Sequence, residues 1–197
     1  MSWGSIAIVV AVLAALYLWY AAIVARRNKV REALSSIDVH LTQRHDLIPN
    51  IVQLAARYMA HERGLIEEVT RLRSRLERPL EDSAAAMGER FRAEGELARK
   101  TARLLVAMEA YPELKADATV IEAQRTWTEV EAQITAARRF YNAAVNRLNS
   151  LIQIFPGSLL AALAGVEAMP FFEADTAARK APSVEEILGA ARPEPEP

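Results

Sequence analysis

The residues of this chain with the widest chemical capacity are His40, His45 and His61, set among Asp38, Asp46 and Glu62. Imidazole and carboxylate groups bind zinc and move protons near neutral pH, so together they could hold a metal-activated water. A helical metal site needs ligands three or four residues apart, because only those steps share a face. None of the three histidines has a histidine or carboxylate at such a step. The spacing therefore argues against a metal site and gives His45 and Asp46 structural roles, capping a helix end, complementing its dipole or fixing a turn, with Arg44 and Arg57 expected to pair with Asp46 or Glu62.

The remaining inventory is also bare of catalytic groupings. The 197 residues include no cysteine, which excludes disulfides, zinc thiolates and a cysteine nucleophile. Seven scattered glycines form neither a phosphate-cradling loop nor a nucleophile elbow. The 24 Lys and Arg residues are offset by 25 Asp and Glu, far from the basic footprint of a nucleic-acid binder. The expectation is a protein without catalytic activity, cofactor or metal. One further grouping, Arg138-Arg139 beside Phe140-Tyr141-Asn142, reads either as a small anion or partner site or as a solvated arginine face next to a core tyrosine.

These groups ride on helices. Met1 to Ala25 carries no acidic or basic side chain, and Trp3 to Val24 would rise roughly 33 Å as a helix, against a hydrocarbon core of about 30 Å. Trp3 at one end and Trp19 and Tyr20 at the other suit the two headgroup regions. A cleavable signal peptide is the competing reading, but it calls for a basic n-region and a shorter apolar core. Arg26, Arg27, Lys29 and Arg31 follow the apolar run, which predicts an inner-membrane protein with its N-terminus outside and its body in the cytoplasm. The reverse topology, with a periplasmic body, is not forbidden by the lack of cysteine.

Beyond residue 25 the pattern is all-α, an antiparallel bundle of four long helices behind a single transmembrane helix. The first stretch covers about Arg27–Gln43 and continues the membrane helix. Asp46 then caps a new helix with Pro49 in its first turn, giving a reversal, with a kink in one long helix as the alternative. The second stretch, from Val52 to Leu76, ends at Pro79, and the third covers about Ser83–Met108. A Thr119–Glu122 capping box opens the fourth. Its stripe Val120, Ala123, Trp127, Val130, Ile134, Ala137, Tyr141, Ala144, Leu148 and Leu151 is a heptad seam, facing either the chain's own helices or a partner helix.

If four helices alternate away from the membrane and back, the fourth ends near the bilayer at Phe155-Pro156-Gly157-Ser158. The apolar residues that follow, with Leu159 and Leu160 first and Phe171 and Phe172 last, are too few and too interrupted to span. They read as an interfacial segment or as a cap on the bundle. The domain plan is thus an anchor at 1–25, a bundle at 26–155, an apolar segment at 156–181, and a short helix with a Pro/Glu tail at 182–197. Pro182 and a Ser183–Glu186 capping box start that last helix.

Several runs resemble the LemA family of single-pass, helical bacterial membrane proteins. They are Glu32–Val39, Arg44–Asn50, Tyr58, His61-Glu62, Tyr111–Ala116, Ala137–Asn142, Phe155-Pro156 and Phe171-Phe172-Glu173. Leu34 stands where the family often has tryptophan, His40 where glutamine is usual and Ser158 where asparagine is common, which further weakens His40 as a ligand. The resemblance implies a helical bundle with a short outer N-terminus and a cytoplasmic body. It implies no reaction and points toward organising or shaping membranes. Two functions are expected on these grounds: a noncatalytic, membrane-tethered scaffold binding protein partners or itself, or a lipid-surface-sensing protein acting through residues 159–172. A metal-dependent enzyme using His45, Asp46 and His61 is the third.

Overall fold

The computed structural model describes residues 3–77 and 84–173, and every regular element among them is helical. Pro79, the Ser83 start, the Pro182–Glu186 helix and the tail lie outside the described residues.

Helix α1 runs unbroken from Trp3 to Tyr58, so the apolar stretch and the first part of the bundle are one 56-residue rod. The reversal expected at Asp46–Pro49 does not occur. Asp46 lies exposed inside α1 and caps nothing, and Pro49 is also exposed within it. A proline inside a helix lacks the N–H that would bond the carbonyl four residues earlier, here that of His45. The second helix, α2 (Arg63–Leu76), supplies the substitute: Arg73 donates its Nε–H to the His45 carbonyl at 3.0 Å. Proline is tolerated because a neighbouring side chain satisfies the acceptor it orphans.

The chain turns instead at Met59, followed by a 3₁₀ turn over Ala60–Glu62. The core stripe of α1 runs Ile48, Ile51, Ala55 and Met59, and the next seam positions are Glu62 and Arg63. With no apolar residue to continue it, the stripe resumes only after a reversal, at Leu65 and Ile66.

Helices α3 (Ala84–Met108), α4 (Pro112–Lys115), α5 (Ala118–Gln153) and α6 (Gly157–Leu163) complete the described order. At the start of α5 the cap is Asp117, whose carboxylate accepts from the Thr119 amide at 2.7 Å. The observed cap therefore lies two residues before the expected Thr119–Glu122 box, whose two residues are both exposed.

Helix α5 lies antiparallel along α1, while α2 and α3 pack beside the second half of α1. Lys100 of α3 meets Glu68 of α2 at 2.8 Å. Eight of the ten seam residues of α5 are buried, and Ala123 and Leu151 are half-buried against the same clusters. The seam is thus filled by the chain's own helices.

Because Arg73 replaces a backbone donor, Arg73→Met should destabilise the full-length protein by about 1.5–3 kcal/mol. In a Pro49→Ala background, where the helix regains its own donor, the same substitution should cost less than about 1 kcal/mol. Unfolding of the four proteins in one detergent measures this coupling, and equal losses in both backgrounds would show that Arg73 does not serve Pro49.

Candidate functional site

Two apolar clusters fill the bundle, and charged side chains lie between them. Arg44 and Glu94 are almost fully buried and bonded to each other, and Arg44 also donates to the Glu94 backbone carbonyl at 3.2 Å. The other end of the guanidinium reaches Glu131 at 3.1 Å, and His45 Nε2 lies 3.1 Å from Glu94. Arg90 Nε approaches the second Glu94 oxygen at 3.6 Å, beyond hydrogen-bonding reach. Burial opposes ionisation of Glu94, but the His45 hydrogen bond and the Arg44 charge outweigh it and lower its pKa. Asp38, on α1, is raised by desolvation and by Glu94, with Arg90 acting against them.

This cluster unites Arg44 and His45 but leaves out the other sequence candidates. His40 meets only Gln43 among the described side chains, and His61 lies exposed in the turn. Among the described residues no three His, Asp or Glu side chains converge as metal ligands. In place of the expected pairing with Asp46 or Glu62, Arg44 has the long-range partners Glu94 and Glu131.

The second constellation binds the chain after α6 back onto α5. Asn149 accepts from the Met169 amide at 3.0 Å and donates to its carbonyl at 2.9 Å. Seven residues earlier, Asn142 makes the same pair with Phe172 at 2.8 and 3.0 Å. Tyr141 donates to the Pro170 carbonyl at 2.9 Å, and burial pushes its phenol up to about 12. Phe172 stacks on Phe91 at 4.2 Å between centroids, and Phe91 meets Tyr141 edge-on at 5.5 Å. Arg138 covers the Phe172 ring at 5.8 Å, so it braces this strap, while Arg139 stays exposed.

Between α5 and the strap, α6 forms a knob against α1. Gly157 sits so close to the Leu151 carbonyl and the Trp19 indole nitrogen that any Cβ there would overlap both. Gly165, at φ 60°, ends α6 in a Schellman motif, with Val166 N bonded to the Ala161 carbonyl at 2.9 Å and Gly165 N to that of Ala162 at 3.3 Å. Gly157, Ala161 and Val166 face inward, and Leu160 is half-buried. Ile154, Phe155, Leu159 and Leu163 face outward, the last 78% exposed. The expected alternatives of cap and exposed apolar segment are therefore two faces of one element. Leu159 belongs to the outer face and Leu160 to the inner, and Phe171 is exposed where Phe172 is buried.

The architecture is that of a helical bundle built on one helix whose apolar first half is long enough to cross a membrane. The LemA family profile matches residues 33–185, well over half of the sequence, and the chain belongs to this family. The match begins after the apolar stretch and runs beyond Glu173. No curated protein gives a significant match.

Glu94→Gln should cost about 3–5 kcal/mol at neutral pH, because Arg44 then loses its buried counter-charge. The parent draws stability from the lowered Glu94 pKa at pH above the ordinary carboxylate value of 4.5 and loses it as pH falls through the folded value. Thermal unfolding from neutral pH to below that window should therefore change less in the variant. Asp38, shifted the opposite way, remains in both. For the strap, Asn142→Ala with Asn149→Ala should speed hydrogen exchange at the Met169 and Phe172 amides by about tenfold. Unchanged exchange would mean that the aromatic packing alone holds it.

Proposed function

We propose that the chain is a noncatalytic, membrane-anchored bundle that holds the bilayer surface at two points, the N-terminal half of α1 and the outer face of α6. The observation that carries this reading is the level of α6. It packs on α1 at Trp19, about 10 Å before Arg26 along the helix axis, at about 1.5 Å per residue. With α1 spanning the bilayer, the outward Ile154, Phe155, Leu159 and Leu163 lie at the boundary of headgroups and acyl chains, the depth at which interfacial helices bury an apolar face.

Sequence supports the same depth. No Asp, Glu, Lys, Arg or His occurs between Arg147 and Glu167, just as none precedes Arg26. The cations at 26, 27, 29 and 31 favour a cytoplasmic body. The α5 seam, which suggested a partner helix, is occupied by α1, and this shifts the weight from a helix-binding scaffold toward action on the membrane surface.

The cysteine-free chain allows a clean depth measurement. A nitroxide on Leu163→Cys in full-length protein, reconstituted in bilayers, should be relaxed more by oxygen than by a water-soluble nickel chelate, as at Leu13→Cys. A label on Thr42→Cys should show the reverse. If the Leu163 label behaves like the Thr42 label, α6 lies in water and the proposal fails.

A further inference from the structure

Just beyond the uncharged stretches, α1 and α5 enclose a cleft of about 80 Å³ lined by Arg26, Lys29, Phe140, Ala143, Ala144 and Arg147. We propose that this cleft binds the phosphate of an anionic phospholipid in the leaflet adjoining the bundle. The proposal rests on the membrane reading above and names the lipid chemistry that the surface selects.

Charge is the first argument. Three cations and no carboxylate line the cleft. Lys29 is paired with Glu32 at 2.9 Å, but Arg26 and Arg147 have no hydrogen-bond or ion-pair partner among the described residues. Two unpaired guanidinium groups facing one space suit a phosphate, whose oxygens match the planar donor fork of arginine. A zwitterionic choline headgroup would bring its own cation against the same three.

Level is the second argument. Arg26 is the first ionisable residue after the apolar run, and Arg147 is the last before the uncharged 148–166 stretch. Antiparallel packing sets them side by side across the cleft. Arg26 lies about 3 Å past Val24 and Lys29 about 7–8 Å past it along α1. A headgroup layer is about 5–8 Å thick on each side, so both fall within it.

Shape is the third. Ala143 and Ala144 leave space for the anion between the helices, and the Phe140 ring, 5.3 Å from the Lys29 ammonium, walls the side away from the bilayer. A lipid seated there would carry its acyl chains toward the apolar outer face of α6.

The test is native mass spectrometry of the full-length protein in neutral detergent with phosphatidylglycerol, phosphatidylcholine or inorganic phosphate. The parent should retain one phosphatidylglycerol in preference to phosphatidylcholine, and millimolar phosphate should not displace it. Arg26→Gln with Arg147→Gln should weaken retention about thirtyfold. Arg31→Gln with Arg139→Gln, which removes the same charge from exposed positions outside the cleft, should leave it nearly unchanged. Equal losses in both pairs would mean diffuse attraction, and displacement by phosphate would mean a soluble anion; either overturns the proposal, as does a lack of lipid preference. The lipid is read in detergent and the Leu163 label in bilayers, so failure of the cleft and failure of the α6 reading are separately visible.

Discussion

Everything in this bundle hangs on α1 remaining one rod through Pro49. A reversal there would split the surface along which α5 lies, and half of the α5 seam would lose its facing partner. The helix survives because the carbonyl freed by proline is answered by Arg73 from across the helix pair. The turn is displaced to Met59, where the apolar stripe runs out. One guanidinium thus links a local defect in the backbone to the path of the whole chain.

The Arg44–Glu94 pair gives that path its register. It occupies seam positions on α1 and α3 and separates one apolar cluster from the other. A slip of one helical turn would set a buried carboxylate against aliphatic side chains and leave the guanidinium without its counter-charge, a penalty of several kcal/mol. Apolar contacts alone discriminate far less between neighbouring registers, since one branched side chain replaces another. The ion pair therefore acts more on specificity of packing than on gross stability.

Helix content, the α5 stripe and continuity of the apolar run into the bundle were legible because each rests on periodicity over many residues. The turn was not, because proline is a strong local signal and its compensation comes from Arg73, 28 positions along the chain from the His45 carbonyl it satisfies. The Glu94 site does leave a trace in the sequence: Met87, Phe91, Leu97, Thr101 and Leu104 mark the buried stripe of α3, and Glu94 falls on it. Arg44 falls in the same way on the Ile37, Leu41, Ile48, Ile51 stripe of α1. Opposite charges on two seams are a pairing signal, whereas the chemistry of His45 taken alone is not. Asn149 has no such signature, since an asparagine half-exposed on a helix looks the same whether or not a distant backbone segment docks on it.

The excursion from Ile154 to Met169 begins and ends on the same helix, joined covalently at one end and by the Asn149 amide pair at the other. Its apolar knob is thus tied to α5 on both sides. Any displacement of α6 must carry α5 with it, and α5 is packed to α1 along its length. On the membrane reading proposed above, lateral pressure on the knob would not be absorbed by a yielding loop. It would pass as torque to the bundle as a long arm, with the contact of Gly157 and Trp19 as its fulcrum.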